Sequence, residues 1–123
     1  MPQREVQPWD LRQVNSLLQR SIPPIQGVTC ATLFVGMWRT CFAWHTEDYE
    51  LSALNFHHMG EAKHWLGVPP HCFRRFQNMC AQLFPGQQCE AFLRHKLFLV
   101  SPAVLRDYGI PHRYSLNRAS MEP

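Results

Sequence analysis

A histidine and a glutamate two residues apart, in His45-Thr46-Glu47, are the residues best suited to chemistry in this sequence. On an extended strand, side chains two residues apart point to the same face, so this imidazole and this carboxylate can reach one metal ion together. Two histidines and one carboxylate are the usual ligands of non-haem Fe(II) in oxygenases, and the tripeptide would supply two of them. Because H-x-E sequences arise often by chance, an ordinary pair of surface residues is the alternative interpretation.

Polar residues that could bind an acidic co-substrate follow this pair along the chain. Leu51, Ala53, Asn55 and His57 alternate and would share one face of a strand, and Lys63 opens the next run, KHWLGV. An amide and an ammonium group at these places could bind the carboxylates of a co-substrate beside the metal. The alternative is a capped turn at Asn55 and a solvated ammonium group at Lys63.

The elements that must position these residues are mainly strands. Apolar and β-branched residues predict strands at 29–36, 40–44, 51–57 and 97–100. Gln26-Gly27 predicts the turn into the first of them. Apolar residues at helical spacing, with capping and breaking residues at the ends, predict helices at 9–20, 71–84, 89–96 and 101–108. The predicted fold class is therefore mainly β with flanking helices (α+β).

Length and composition limit the chain to one small globular domain. It has 123 residues, of which 46% are hydrophobic and only 17% are charged, with four Trp and eight Phe. Such a chain would expose apolar surface without its usual neighbours. The net charge of +3 is mildly basic and compatible with a nuclear partner.

The cellular compartment of the protein and the redox state of its cysteines can be inferred from the sequence. No stretch of 18 consecutive apolar residues occurs, and the first 20 residues do not form a signal peptide, so we expect no membrane partner and a cytosolic or nuclear location. The five cysteines are scattered and odd in number, which favours reduced thiols over a disulfide framework.

Three stretches carry a resemblance to a known family: GMWRTCFAWHTED, LNFHHMGEAKHWLGVPP and FPGQQCEAFLRHKLFLVSPAVLRDYGIP. Together they resemble the JmjC domain of the histone lysine demethylases, and in particular the lysine-specific demethylase 4 subfamily, from about Trp9 to Pro111. The resemblance implies a partial double-stranded β-helix, a jelly-roll fold of the cupin type. It also implies Fe(II) and 2-oxoglutarate as cofactors, a histone tail with a methylated lysine as substrate, and a place on chromatin in the nucleus.

The resemblance also assigns roles to residues of the cofactor site. His45 and Glu47 match the first two iron ligands of the family. Asn55 and Lys63 match residues that contact 2-oxoglutarate, and Phe42 matches an aromatic residue that packs on it.

Further positions match the substrate pocket and a zinc site. Gly27, Phe34 and Glu47 fall on the wall that would surround the methylated lysine, and Phe34 stands where the family usually has Tyr. Cys89 and His95 match two of the four ligands of a structural zinc. Without the resemblance, these last two would be interpreted as a buried thiol and a surface imidazole.

Residues 1–111 are accordingly predicted to be a partial JmjC domain, and residues 112–123 a divergent tail. The family's last iron-binding His, the Cys pair that completes its zinc site and its JmjN segment find no match in the sequence. Candidates to replace the missing iron ligand are His57, His58, His64, His71 and His112.

Two functions of different classes follow from these observations. The first is a histone lysine demethylase-like protein whose activity is lost or reduced in this chain, because two iron ligands bind more weakly than three. The second is a non-catalytic module that binds chromatin or another partner. A homologous chain is one such partner, because a partial β-helix would leave strand edges and an apolar face uncovered.

Overall fold

The computed structural model of the chain describes residues 10–86, 89 and 91–119. The chain divides into two compact units, Met1–Cys41 and Phe42–Pro123. The first contains short helices and a turn, and the second contains a sheet and the buried core. The residues predicted to contact iron and 2-oxoglutarate all belong to the second unit.

Short helices begin the first unit, where one helix was predicted at 9–20. A 3-10 helix spans Leu11–Gln13, and α1 spans Leu17–Ser21. Between them the chain turns at Asn15, which has a φ of 52°. Ser16 then caps α1: its hydroxyl accepts from the backbone N–H of Gln19, whose side chain accepts from the backbone N–H of Ser16. This capping box starts a new helix and explains why the predicted helix is interrupted. Trp9 lies outside the described residues.

A turn at residues 25–30 follows α1, as Gln26-Gly27 predicted. The carbonyl of Ile25 accepts from the backbone N–H groups of Val28, Thr29 and Cys30, at 3.1, 2.9 and 3.2 Å. Gly27 has a φ of +79°, in the left-handed region that favours glycine.

The buried core of the second unit is built on its longest helix. A 3-10 turn at Pro70–Cys72 leads into α2, Phe73–Leu83, which buries Phe76, Met79 and Cys80. These pack with the other buried members of one apolar cluster: Phe92, Leu93, Phe98, Val100, Leu105 and Ile110. The predicted helix at 71–84 is confirmed, because its apolar spacing matches the face that is buried.

The last helix of the second unit also lies where it was predicted. It is α3, Pro102–Asp107, and the hydroxyl of Ser101 caps it by accepting from the backbone N–H of Val104. Gly109, with a φ of +62°, ends it. Of the predicted helix at 89–96, the structure forms a 3-10 turn at Phe92–His95.

A two-stranded antiparallel sheet joins β1, Lys63–Gly67, to β2, Arg113–Asn117. The register pairs Lys63 with Asn117 and Gly67 with Arg113. The second strand lies in the segment that was predicted to be a divergent tail and was given no element.

The four predicted strands are not formed as ladders in the described residues. Single bridges occur there instead, between Gln26 and Cys30 and between Trp44 and Phe98. Strands depend on cross-strand pairs and on burial of one face, and residues 33–38 are exposed. The prediction of these four strands from composition alone was wrong. None of the helices in the described ranges is long and apolar enough to cross a membrane.

Trp44 ties the segment of the His–Glu pair to the core. Its backbone N–H donates to the carbonyl of Phe98 at 2.8 Å, and its indole Nε1–H donates to the carbonyl of Val100 at 2.9 Å. The ring lies 5.2 Å from that of Phe76, centroid to centroid. Three contacts of different kinds therefore fix the residue that precedes His45.

Replacing Trp44 with Phe should remove the indole bond and leave the carbonyl of Val100 unpaired. We expect the free energy of unfolding to fall by about 1 kcal/mol, the usual net value of one such bond. Urea unfolding followed by circular dichroism measures it. Trp38→Phe is the control, because Trp38 is 80% exposed and should change the value by less than about 0.5 kcal/mol. Equal effects of the two substitutions would contradict the role given to the indole bond.

The thiol of Cys80 is fully buried on α2, and burial raises its pKa from the ordinary value of 9.0 to about 11. The folded state therefore resists ionisation of a thiol that ionises readily in the unfolded chain. The resulting stabilisation is complete below about pH 9 and is lost as the pH rises towards 11.

Cys80→Ala should remove this part of the pH dependence. We expect its free energy of unfolding to decline less steeply than that of the wild type from about pH 8 to about pH 11, as measured by urea unfolding. Cys41→Ala, which removes an exposed thiol, should keep the wild-type slope. The same slope in all three proteins would mean that Cys80 does not contribute.

Candidate metal and cofactor site

The side chains of His45 and Glu47 point towards each other, as the H-x-E spacing predicted. The imidazole Nε2 of His45 lies 3.7 Å from Oε1 of Glu47. The His45 side chain is 22% exposed and that of Glu47 is 47% exposed, so the pair opens to solvent on the carboxylate side. A cation could approach both atoms from there.

The second nitrogen of His45 is held by the backbone. Its Nδ1 lies 2.7 Å from the carbonyl of Ala43. A carbonyl oxygen only accepts, so Nδ1 donates to it, and Nε2 is the ring nitrogen that faces Glu47. Metal-binding histidines commonly donate their other N–H in this way, which fixes the ring and its tautomer. The geometry of His45 therefore fits a metal ligand.

A tight turn follows Glu47 and changes the direction of the chain directly after the His45–Glu47 pair. The carbonyl of Glu47 accepts from the backbone N–H of Glu50 at 3.0 Å, around the 3-10 turn Asp48–Glu50. Tyr49 and Glu50 have φ values of 55° and 56°. Non-glycine residues in this region are uncommon and cost free energy, which the surrounding contacts must offset.

Asn55 and Lys63, the two predicted 2-oxoglutarate contacts, are joined directly. The ammonium Nζ of Lys63 donates to the amide Oδ1 of Asn55 at 2.9 Å, and both side chains are half-buried. Lys63 is the first residue of β1, so the sheet fixes its backbone. An ammonium group whose partner is a neutral amide keeps its positive charge for an anion.

His57 reaches the same sheet by a contact that sequence reasoning missed. Its Nδ1 lies 3.2 Å from the carbonyl of Asn117 on β2, and the residue is only 7% exposed. The bond joins positions 60 apart in sequence, so no local pattern could have shown it. The alternation of Tyr114 and Leu116 in RYSLN was the signal that could have shown the strand itself.

The candidates for a third iron ligand do not converge on the pair. No group of three or more His, Cys, Asp or Glu side chains able to hold a metal occurs within the described ranges. Four of the candidates have other contacts. His57 bonds the carbonyl of Asn117, His58 packs on the ring of Phe56, His64 bonds the hydroxyl of Tyr114, and Nδ1 of His112 lies 3.1 Å from the carbonyl of Ile110. The donor set thus fits two ligand positions of an iron site.

The predicted zinc ligands lie on the surface of the second unit. Cys89 and His95 are both exposed, before and at the end of the 3-10 turn Phe92–His95. They belong to no cluster of metal ligands in the part of the chain that the structure describes. Two exposed ligands do not fit a structural zinc site, which normally has four. Because Cys89 is exposed, the alternative interpretation of it as a buried thiol is wrong.

The predicted aromatic and substrate-wall residues are divided between the units. Phe42 belongs to the unit of the cofactor residues and is 54% exposed. Gly27 and Phe34 belong to the other unit, where Phe34 is 58% exposed and Gly27 makes the turn described above.

Comparison with known proteins decides the family. The profile described as JmjC domain, hydroxylase, matches residues 32–118, most of the chain. This chain belongs to the JmjC family. The matched range contains both His45 and Glu47 and extends through β2, and it confirms the predicted partial fold of the JmjC, cupin-like type.

Lysine demethylases are among the relatives of this JmjC chain. It is 43% identical over 113 residues to lysine-specific demethylase 4B of Mus musculus, which covers 87% of the chain and 10% of that protein. It is 45% identical over 113 residues to lysine-specific demethylase 4D of Rattus norvegicus, covering 87% and 22%. It is 43% identical over 120 residues to the probable lysine-specific demethylase 4F of Homo sapiens, covering 93% and 18%. The chain spans about a tenth to a fifth of the length of these relatives.

Proposed function

We propose that this chain carries part of a histone lysine demethylase site, in which His45 and Glu47 bind Fe(II) while Asn55 and Lys63 bind 2-oxoglutarate. The observation that supports it most is the approach of Nε2 of His45 to Oε1 of Glu47, 3.7 Å apart, with Nδ1 held by the carbonyl of Ala43. When bound, iron and 2-oxoglutarate would together activate dioxygen, the oxidant for removal of an N-methyl group.

The residues of the second unit would act by binding and orientation. The ammonium group of Lys63 would pair with a carboxylate of 2-oxoglutarate, a charge-assisted bond stronger than one between neutral groups. Asn55, 2.9 Å from Nζ, would orient that ammonium group and offer its own amide N–H. Phe42 would cover the cofactor from its apolar side.

The substrate would be a histone tail with a methylated lysine, and the location the nucleus, on chromatin. Support comes from the lysine-specific demethylases that the chain resembles. The resemblance assigns Gly27, Phe34 and Glu47 to the wall around the methylated side chain. Phe34 has no hydroxyl group to bind the methylammonium head, so its own contribution would be apolar contact.

Turnover by this chain alone should be reduced or absent. Two ligands converge in the described residues, and Fe(II) held by two ligands keeps more water and binds more weakly than Fe(II) held by three. Binding of the cofactors and demethylation are therefore separate properties and need separate experiments.

Cofactor binding can be measured by the absorption band of the iron–oxoglutarate complex under anaerobic conditions. We expect a saturable band in the wild type and its loss, with at least about tenfold weaker binding, in His45→Ala and in Glu47→Ala. His95→Ala and Glu50→Ala are matched controls, because they remove an exposed imidazole that is not a candidate iron ligand and a neighbouring carboxylate outside the pair. No band from folded wild-type protein, or the same loss in the controls, would contradict the proposed site.

A partner-binding module is the second candidate, and exposed apolar side chains in the first unit favour it. Leu33, Val35, Met37 and Trp38 are 76%, 90%, 87% and 80% exposed. Apolar surface of this kind commonly marks an interaction site.

Formaldehyde release and partner binding, measured together, separate the two functions. With Fe(II), 2-oxoglutarate and a methylated histone peptide, residual demethylase activity produces formaldehyde, and His45→Ala abolishes it. A binding module produces none, and its binding of a histone peptide or of a homologous chain survives His45→Ala but weakens in Val35→Ser. Binding without formaldehyde release would favour the partner-binding module over the demethylase.

A further inference from the structure

Three contacts in the second unit form a closed circuit around Lys63. Lys63 pairs with Asn117 across the sheet, Asn117 accepts a bond from His57, and Asn55, two residues before His57, accepts a bond from Lys63. The circuit therefore starts and ends at Lys63. Its backbone pairs with Asn117, and its ammonium group bonds Asn55.

The segment that holds Asn55 has little backbone pairing of its own. Residues 51–58 form no ladder in the described structure, so their place depends on side-chain contacts. His57 is buried, whereas its neighbour His58 is exposed. Asn55 and His57 are two residues apart and both face the sheet. The position of Asn55 is therefore restricted by the contact that anchors His57.

We propose that His57 is a positioning residue, which holds Asn55 against Lys63 and so fixes the two groups assigned to 2-oxoglutarate. The role of the pair in binding 2-oxoglutarate rests on the proposed function. The positioning itself concerns only the geometry of Asn55 and Lys63.

The chemistry of the contact defines which substitutions keep it. The carbonyl of Asn117 only accepts, so Nδ1 of His57 donates to it, 3.2 Å away. Asparagine can place an amide N–H near the position of Nδ1 and should keep the bond. Leucine fills a similar apolar volume but cannot donate, so His57→Leu removes the bond without leaving a cavity.

Amine labelling reads the Lys63–Asn55 contact directly, because the sequence has just two lysines, Lys63 and Lys96. Limited reaction of the full chain with an acylating reagent, followed by mass spectrometry, gives both labelling rates from one sample. Lys96 is exposed and serves as the internal reference. Labelling of the buried thiols of Cys72 and Cys80 reports in parallel whether the unit stays folded.

We expect labelling of Lys63 to rise about fivefold in His57→Leu, the change that loss of one net hydrogen bond would produce, with Lys96 unchanged and Cys80 protected. His57→Asn should restore the wild-type rate. His58→Ala removes the neighbouring imidazole and should leave Lys63 as in the wild type.

Other outcomes would overturn the positioning role. Equal Lys63 labelling in the wild type and His57→Leu would show that the ammonium group does not depend on His57. Exposure of Cys80 in His57→Leu would assign His57 to the stability of the whole unit instead. Failure of His57→Asn to restore the rate would exclude the Nδ1 bond as the cause.

Adding 2-oxoglutarate with Mn(II) separates this inference from the proposed function. Protection of wild-type Lys63 by the ligand, weaker in His57→Leu, supports both. If the ligand gives no protection but Lys63 labelling still depends on His57, the proposed cofactor site is wrong and the positioning role stands.

Discussion

The indole of Trp44 connects the chemistry of this chain to its core. The pair of His45 and Glu47 begins one residue later, in a segment without ladder pairing, and the direction of the imidazole depends on how its backbone is held. Trp44 fixes it with a bridge to Phe98, a bond to the carbonyl of Val100 and ring contact with Phe76 on α2. These contacts of Trp44 hold the segment to the core where no ladder of strands does so.

The register of the small sheet matters in the same way for Lys63. Side chains on a strand alternate between faces, so a slip of one residue would turn Lys63 away from Asn55. The pairing of Lys63 with Asn117 excludes that slip, and the bond from His57 to Asn117 joins the register to the segment that carries Asn55. The strand that sets the register lies at 113–117, beyond the boundary that sequence reasoning gave to the domain.

What could be predicted from the sequence was local. The helix at 71–84 and the cap at Ser101 were predicted correctly, because apolar spacing and capping are written in neighbouring residues. The approach of His45 to Glu47 depends on a spacing of two and was also visible. The four strands were predicted wrongly because a strand forms only when it pairs with another strand, and local composition does not identify that other strand. His57 and Asn117 are 60 positions apart, and their contact follows from the register of a sheet that no single stretch encodes.

Arg12 and Lys63 differ in the side chain that each contacts, and this partner decides whether the cationic group can still bind an anion. Arg12 forms an ion pair with Asp10 at 2.7 Å and a second bond at 2.8 Å, and this carboxylate raises the pKa of the guanidinium. Its charge is neutralised locally. Lys63 instead contacts an amide, which orients the ammonium group without cancelling its charge, and half-burial reduces the screening by water. A dicarboxylate such as 2-oxoglutarate would therefore gain more from Lys63 than from Arg12, although both residues carry one positive charge.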